Sequence, residues 1–319
     1  MTDLGYCLTS ELHGPRELVD HARQAEQAGF RFALISDHYH PWTSTQGHSP
    51  FVWAVIGGIA EATNELNIGT GVTCPTVRIH PAIVAQAAAT AYLMLDGRFF
   101  LGVGSGENLN EHILGDRWPP AAVRQEMLEE AVAVMRELWK GEFVMHHGKH
   151  YTVENARVYD APEGGAVPVY VAGAGPKSAT LSGRIGDGFI GVAPQKETIE
   201  IFEREGGSGK PRVGQLHACW AESRDDAVKT AHELWPNVAI KGELGQELPM
   251  PGHFAQAAGM VTPEDVDEVV ACGPDPARHM EMLGRFEDAG YTHIYVHQIG
   301  PDQEGFLRFY QQEILPNFA

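Results

Sequence analysis

Short apolar runs alternate along the chain with longer segments of helical periodicity. Eight runs predict strands, and they cover residues 5–9, 32–36, 66–71, 98–103, 167–171, 188–192, 212–220 and 292–297. The run at 98–103 is almost wholly apolar, as expected for a strand buried on both faces. Alternating strands and helices are typical of parallel βα units. Eight such strands favour a (β/α)8 TIM barrel over an open, doubly wound sheet.

Helical periodicity is clearest in the segment after the first strand. Pro15 marks a helix start, and Leu18, Ala22 and Ala25 fall on one face before a stop at Gly29. The remaining patterns predict helices over about residues 50–63, 81–95, 120–139 and 303–313, and a hairpin over residues 143–153.

One stretch, residues 235–262, is too rich in glycine and proline to be a regular βα unit. We expect it to be an insertion that forms a lid over the barrel mouth. The sequence contains no Pro/Ser-rich linker, so residues 1–319 are predicted to form a single TIM-barrel domain with insertion segments.

The charge balance narrows the range of partners. The chain has 23 Lys and Arg against 42 Asp and Glu, a formal net charge of −19, which would repel nucleic acid. The first residues lack the features of a secretory signal, and no run reaches the roughly 18 apolar residues of a membrane span. The four cysteines are scattered, as is typical of reduced thiols. We therefore expect a cytoplasmic protein without a membrane partner.

Polar side chains follow the predicted strands, where parallel barrels place their catalytic groups. His38 follows the second strand, and it is either a base for a substrate hydroxyl or a buried structural histidine. Glu107 follows the fourth strand and would face the same barrel mouth. A histidine and a carboxylate in these positions suit the oxidation of an alcohol.

Glycine-rich segments and histidine clusters are candidates for cofactor and metal binding. Residues 102–106 lack the GxGxxG spacing of a dinucleotide fold. Residues 172–176 open a helix with Lys177 in its first turn, which forms either a phosphate cradle or a tight turn. The HxH pair of His38 and His40 lacks a completing ligand set, and the histidine-rich run 146–150 lies on a predicted surface hairpin, so no metal site is predicted.

At these segments the chain resembles the bacterial luciferase-like superfamily. Within it, the chain is most similar to enzymes that use the deazaflavin coenzyme F420, typified by the F420-dependent glucose-6-phosphate dehydrogenases. The resemblance covers nearly the whole chain apart from residues 198–265. It is carried by residues 15–19, 36–38, 41–42, 47–51, 69–70, 75–76, 110–111, 167–170 and 183–189. It implies an F420-dependent oxidoreductase that acts on CH–OH groups and forms a homodimer.

The resemblance also implies roles for individual residues. His38 matches the histidine that handles the hydroxyl proton, and Glu107 matches the catalytic carboxylate. Trp42 matches a tryptophan beside the reacting centre, and Glu11 a carboxylate at the pocket floor. The matched cofactor-binding positions are Asp37, Gly71, Val72, Cys74, Ser105, Gly106, Asn110, Ala174, Gly175 and Lys177.

The resemblance implies further detail at three places along the chain. The family has a cis peptide where Gly71 and Val72 stand here, and residues 174–177 match the loop that receives the cofactor phosphate. Cys74 replaces a frequent threonine, and a thiol is the poorer hydrogen-bond partner.

The substrate pocket departs from that of the glucose-6-phosphate enzymes. Val192, Gln195 and Glu268 stand where those enzymes bind the sugar phosphate, no lysine occurs in residues 249–257, and Lys196 is one residue out of register. A phosphate facing Glu268 would be repelled. We therefore expect an uncharged alcohol, polyol or free sugar as the substrate.

Two alternatives keep part of this interpretation. The same fold could bind FMN and activate oxygen as a luciferase-like monooxygenase. A non-catalytic cofactor-binding relative is disfavoured, because both acid–base candidates, His38 and Glu107, are present.

Overall fold

Eight parallel strands close into a barrel in the structure, a computed structural model that describes residues 2–318. The strands are β1 (Asp3–Leu8), β2 (Phe32–Ile35), β3 (Asn67–Thr70), β4 (Phe99–Val103), β5 (Val144–His147), β6 (Thr152–Ala156), β7 (Val169–Ala172), β8 (Gly188–Gly191), β9 (Arg212–Cys219), β10 (Ala271–Cys272) and β11 (His293–Gln298). The barrel order is β1, β2, β3, β4, β7, β8, β9 and β11, and β11 pairs with β1 to close it. Strands β5 and β6 form an antiparallel hairpin outside the barrel.

Helices follow the barrel strands. They are α1 (Pro15–Ala28), α2 (Val52–Ala62), α3 (Pro81–Met94), α4 (Asn108–Glu111), α5 (Ala121–Trp139), α6 (Pro176–Ile185), α7 (Lys196–Phe202), α8 (Arg224–Leu234), α9 (Leu244–Glu247), α10 (Pro251–Ala258), α11 (Pro263–Val269), α12 (Pro276–Asp288) and α13 (Gln303–Phe309). Proline occupies the first turn of several of them, where its missing N–H leaves no helical bond unmade. None of the helices within residues 2–318 is long and apolar enough to cross a membrane.

The predicted (β/α)8 barrel is confirmed, and each of the eight predicted strands ends within about two residues of its observed bounds. The sequence did not predict β10, because two residues carry no periodicity. The closing helix also differs from the prediction, since α13 ends at Phe309 and a π-helical turn follows over Tyr310–Ile314. Residues 235–262 are less irregular than expected, because they contain α9, α10 and a 3₁₀ turn over Pro236–Ala239.

The lower half of the barrel interior is filled by aromatic side chains. The rings of Phe100 and Tyr170 stack with centroids 4.6 Å apart. Glycines on adjacent strands make room for them, since a Cβ on Gly69 would lie 2.1 Å from the Phe100 ring, and one on Gly188 would lie 2.7 Å from the Tyr170 ring. The packed layer therefore closes the N-terminal end of the barrel, and the functional groups lie at its upper end, where the strands have their C-termini.

At that upper end, several inward-facing residues keep part of their surface accessible. They are Gly71, Val72, Ala172, Gly173 and His217. Four of them lie at or just beyond the C-terminal ends of their strands, and His217 lies two residues before the end of β9. The barrel therefore has a recess at its C-terminal mouth, where TIM-barrel enzymes bind their ligands.

Replacing Gly102 with Ala is expected to destabilise the barrel. A Cβ at this position would lie 1.9 Å from the backbone carbonyl oxygen of Thr70 on β3, and a backbone atom cannot rotate away. Overpacking of this kind costs about 1–3 kcal/mol or more, so the urea midpoint of unfolding should fall. Gly284→Ala on α12 is the matched control, because no atom lies within 4 Å of its added Cβ. Equal midpoints for the two variants would contradict this account of the packing.

Candidate active site

A buried contact between His38 and Glu11 lies at the centre of the candidate site. Each residue follows the end of its strand, His38 after β2 and Glu11 after β1. Because these strands are neighbours, Nδ1 of His38 lies 3.3 Å from Oε1 of Glu11. Only 8% of the His38 side chain and 2% of the Glu11 side chain are exposed. The two atoms lack hydrogen-bond alignment. The carboxylate nevertheless faces one edge of the ring and leaves Nε2 available for chemistry.

Two serines hold Glu11 in place. Ser36 Oγ donates to Oε2 of Glu11 at 2.6 Å and accepts from the backbone N–H of Ser10 at 3.0 Å. Ser10 Oγ in turn donates to the backbone carbonyl of Ser36 at 2.6 Å. A buried carboxylate needs such partners, because an unpaired one is strongly disfavoured in an apolar surrounding. Ser10 directly follows a predicted strand and Ser36 ends one, but nothing in the sequence pattern showed that they bind Glu11.

Glu107 lies near the opposite edge of the His38 ring. It directly precedes α4, and its Oε2 lies 4.0 Å from Nε2 of His38, which is too long for a hydrogen bond. Asn110 Nδ2 donates to the same carboxylate oxygen at 3.3 Å. The Glu107 side chain is 31% exposed, so it borders the open recess. An oxygen atom placed beside both Nε2 and Oε2 could bond to each of them.

Trp42 covers the His38 ring from the side of residues 235–262. The centroids of the two rings are 4.9 Å apart, with an interplanar angle of 64°. Trp42 also contacts Phe254 of α10, and the centroids of these two rings are 5.1 Å apart. Trp42 therefore provides an apolar wall beside the imidazole and joins it to the segment that was predicted to be a lid.

Asp37 is held by an ion-pair network that the sequence did not predict. Its two carboxylate oxygens accept from Thr73 Oγ1 at 2.8 Å and from Arg78 Nη2 at 2.9 Å. Arg78 also lies against Glu111, since its backbone N–H donates to Oε2 of that residue at 2.7 Å. Burial acts to lower the pKa of Arg78, but the two carboxylates outweigh it and raise that pKa. Arg78 follows β3 without any flanking motif, so no local signal could have identified it.

Asn110 joins the loops that follow β2 and β4. Its Oδ1 accepts from the backbone N–H groups of Tyr39 at 2.9 Å and His40 at 3.1 Å. Together with the bond from Nδ2 to Glu107, this uses both ends of its amide. In this structure the polar atoms of Asn110 and Asp37 therefore bind protein groups that shape the recess.

The loop after β3 forms an apolar bulge toward the recess. The peptide bond between Gly71 and Val72 is cis, as the family resemblance implied. The chain then rejoins β4, where the N–H of Thr73 donates to the carbonyl of Gly102 at 2.9 Å. Gly104 has no room for a side chain, because a Cβ would lie 2.8 Å from Cγ2 of Val72. The partly exposed Val72 side chain therefore offers a flat apolar surface of the kind that supports an aromatic ring system.

Cys74 and Gly106 pack together beside this bulge. Gly106 has a φ of 82°, and a Cβ there would lie 2.5 Å from Cys74 Sγ. Burial raises the pKa of the Cys74 thiol, so the thiol stays protonated at neutral pH. Its Sγ lies 2.9 Å from Thr76 Oγ1, which shows that its hydrogen bond goes to the protein. Ser105, next to Gly106, is partly exposed at the recess.

The turn between β7 and α6 presents backbone amides at a helix start. The N–H groups of Ala174 and Gly175 each donate to Ser178 Oγ at 3.1 Å. Lys177 lies in the first turn of α6 and is exposed, with its ammonium group free to reach an anion. The hydroxyl of Ser178 thus occupies the position that an anion's oxygen would take. Sequence reasoning missed Ser178, although a serine three residues after Gly175 is the expected signal of a side-chain cap.

All the predicted site residues are brought to one end of the barrel, after the C-terminal ends of β1, β2, β3, β4 and β7. Their individual roles toward a cofactor remain predictions. The histidine-rich run lies apart on the hairpin, where His146 Nε2 is 3.0 Å from Glu130 Oε1. Within residues 2–318, no group of three or more His, Cys, Asp or Glu side chains could hold a metal ion.

Comparison with known proteins agrees with this geometry. The family model of luciferase-like monooxygenases matches residues 2–293. A relative from Microbacterium testaceum (strain StLB037), named F420-dependent glucose-6-phosphate dehydrogenase, is 36% identical over 98% of this chain and 96% of its own length. A solved structure of an F420-dependent secondary alcohol dehydrogenase with an F420–acetone adduct is 31% identical, covers 98% of both chains and has a TM-score of 0.92.

A more distant structure shares the fold alone. The F420-dependent tetrahydromethanopterin reductase from Methanopyrus kandleri is 22% identical, covers 100% of this chain and 99% of its own, and has a TM-score of 0.82. The resemblance noted in the sequence is thus confirmed by matches along nearly the whole barrel. The chain belongs to the luciferase-like family.

Proposed function

We propose that this protein is an F420-dependent dehydrogenase that transfers a hydride between the CH–OH group of an unphosphorylated alcohol, polyol or free sugar and the deazaflavin. The observation that carries this proposal is the setting of His38, whose Nδ1 faces Glu11 and whose Nε2 faces the open recess beside Glu107. Relatives at 36% and 31% identity, both named for dependence on F420, support this cofactor over the alternative, FMN.

The recess suits a flat, anionic cofactor. The bulge at Gly71 and Val72, with the side-chain-free position at Gly104, would support the ring system. Cys74, Ser105 and Gly106 would lie along its edge, and the loop of Asp37 and Asn110 would border it. The amides of Ala174 and Gly175 with Lys177 would bind its phosphate. When bound, the deazaflavin supplies a ring carbon that accepts or returns a hydride.

The chain's own residues handle the proton. Nε2 of His38 takes or returns the proton of the substrate hydroxyl, and Glu11 holds the ring in orientation and stabilises its charged form. Glu107 lies within reach of the same oxygen and provides a second proton-transfer group at the edge of the recess. Trp42 and Phe254 exclude water from one side of the imidazole. Dry surroundings strengthen these electrostatic interactions.

An uncharged substrate fits the charge of the site. Val192 is 58% exposed, and Gln195 accepts from Thr198 Oγ1 at 3.0 Å, so neither position offers a cation for a phosphate. Glu268 is an exposed carboxylate on α11. The carboxylates of Glu11 and Glu107 lie beside His38 itself. A dianionic sugar phosphate would find no cation at Val192 or Gln195 and would be repelled by the carboxylate at position 268.

The segment of residues 235–262 is proposed to cover the recess as a lid. Asn108, which follows Glu107, donates through Nδ2 to the carbonyl of Glu247 at 3.0 Å. Arg124 Nη2 donates to Gln246 Oε1 at 3.1 Å from the start of α5. These contacts, with that of Phe254 on Trp42, attach α9 and α10 to loops at the barrel mouth.

Homodimer formation and a cytoplasmic location complete the proposal. Exposed apolar side chains lie on and beside α2 and α3, namely Phe51, Ile83, Leu93 and Met94. Such exposed apolar side chains are candidates for contact with a second subunit. The four cysteines are buried, free thiols, as is usual in a reducing compartment.

Coenzyme binding is expected to depend on Lys177. The wild-type protein should quench the fluorescence of F420 at lower concentration than that of FMN. Lys177→Glu should weaken F420 binding about tenfold, because it reverses the charge beside the proposed phosphate turn, and the loss should shrink at high salt. Lys149→Glu, on the exposed end of the hairpin, is the control. If both variants bound F420 with the same dissociation constant, the proposed phosphate site at this turn would be refuted.

His38→Ala is expected to slow the chemical step by roughly 10²–10⁴-fold, because the hydroxyl proton loses its acceptor. Single-turnover kinetics with bound F420 and an alcohol substrate would measure this step, and coenzyme affinity should stay within about twofold of wild type. His147→Ala on the hairpin controls for the loss of a histidine elsewhere. If the single-turnover rate of the His38→Ala variant equalled that of wild type, His38 would not be the proton acceptor.

Glucose 6-phosphate is expected to be a poorer substrate than glucose, with kcat/KM lower by about tenfold or more because of the acidic surroundings. Glu268→Arg should narrow this difference if Glu268 faces the substrate as the resemblance implies. Glu287→Arg on α12 makes the same charge change at another helix and should leave the ratio alone. A wild-type preference for the phosphorylated sugar would overturn the proposal of an uncharged substrate.

A further inference from the structure

Two histidines that the proposed chemistry does not use lie side by side inside the barrel. His217 on β9 and His297 on β11 are register partners on adjacent parallel strands. Their Nδ1 atoms lie 3.0 Å apart, so the two rings share one hydrogen bond. His297 is fully buried, whereas His217 keeps part of its surface accessible. The pair therefore forms part of the wall of the recess, with His217 as its accessible member.

The topology places this pair opposite the apolar bulge. In the barrel order, β9 is separated from β3 by three strands in either direction, so His217 faces the bulge at Val72 across the mouth. Strand β11 is also the neighbour of β1, which leads to Glu11. A substrate that reaches His38 from a ring lying on the bulge would therefore have β9 and β11 as its far wall.

Other contacts place the pair beside the catalytic groups. Burial and the nearby Glu11 carboxylate both raise the pKa of the Cys7 thiol, which points inward from β1. Gln215 Nε2, two residues before His217 on β9, lies 3.7 Å from Cys7 Sγ. Trp235 stacks edge-on against His297 with ring centroids 4.5 Å apart. Cys7 thus lies near Glu11 and also near Gln215, which connects the strand of His217 with the strand that leads to Glu11.

The hydrogen bond between the rings restricts their tautomers. Burial lowers the pKa of His217 to about 4 and holds the pKa of His297 well below its ordinary value, so both rings are neutral at pH 7. Nε2 of His297 is buried and has no hydrogen-bond partner. A bare lone pair is tolerated there better than an unpaired N–H, which puts the proton of His297 on Nδ1. Nδ1 of His217 is then the acceptor, and its Nε2 carries a hydrogen that can be donated.

We propose that His217 is a specificity-determining residue that donates a hydrogen bond from Nε2 to a second oxygen of the substrate. This inference rests on the proposed function and deepens it, because it selects a polyol or free sugar over a simple alcohol. A neutral N–H donor suits the oxygen of an uncharged hydroxyl group, and a neutral ring offers no charge that would bind an anion. His297 acts through His217 as a positioning residue, since its Nδ1 fixes which nitrogen of His217 donates.

The test compares glycerol with 2-propanol, which share a three-carbon skeleton and differ by two hydroxyl groups. In wild type, kcat/KM should favour glycerol, and His217→Phe should lower the glycerol to 2-propanol ratio by about tenfold or more, because it removes the donor. His217→Gln keeps an amide donor and should restore part of the ratio. His293→Asn, at the lower end of β11, is the control and should leave the ratio at its wild-type value. An unchanged ratio in His217→Phe would overturn the proposal.

A second readout does not depend on turnover or on the folding of a variant. Side-chain nitrogen NMR of the wild-type protein with F420 should show one protonated nitrogen per ring for the pair. Addition of glycerol should shift Nε2 of His217, and addition of 2-propanol should not. If alcohols are not oxidised but the glycerol shift is present, the subsite stands and the proposed dehydrogenase activity fails. If neither alcohol shifts the His217 signal, the subsite is refuted whatever the activity.

Discussion

The contact of a buried carboxylate, Glu11, with the imidazole of His38 is the constraint on which the site depends. Both groups follow the ends of neighbouring strands, so their distance is set by the pairing of β1 with β2. Ser10 and Ser36 fix that junction through three hydrogen bonds, and one of them reaches the carboxylate. Because Glu11 faces Nδ1, only Nε2 of the ring remains open to the recess. The orientation of one imidazole edge is thus determined by backbone pairing several residues below it.

A second hydrogen-bond and ion-pair network fixes the loops on the side of the recess where the ring of the cofactor would lie. Arg78 joins Asp37 after β2 to Glu111 at the end of α4, and Thr73 joins Asp37 to the bulge after β3. These side chains are buried, so each charged group has its partner within the protein. The loops that border the recess are therefore held to one another. We infer that the recess exists in this shape before a ligand enters, which lowers the ordering that binding requires.

The sequence predicted the barrel well and the pairings within the site poorly, for a physical reason. Strands buried on both faces are continuous apolar runs, and a helix that starts with proline is also visible locally, so the eight barrel strands could be located. The same apolar pattern also predicted that His38 lies beyond the end of a strand. Arg78 and Ser178 were missed, because their partners are set by strand order or turn geometry. The two-residue strand β10 has too few positions for any pattern.

The distribution of charge around the recess bears on which substrate the barrel would accept. A chain with a net charge of −19 must attract an anionic cofactor through local groups, and the exposed Lys177 with the amides of Ala174 and Gly175 forms such a place at one rim of the barrel. At the opposite wall, β9 and β11 present neutral histidines, and Glu11 after β1 is acidic, whereas Glu107 follows β4, the neighbour of β7. In the proposed function, the phosphate of the coenzyme lies at this rim, and the neutral histidines of β9 and β11 offer no positive charge to a phosphorylated substrate. On this proposal the same barrel binds a phosphorylated coenzyme and prefers an uncharged hydroxylated substrate, because only one end of the recess presents groups that bind a phosphate.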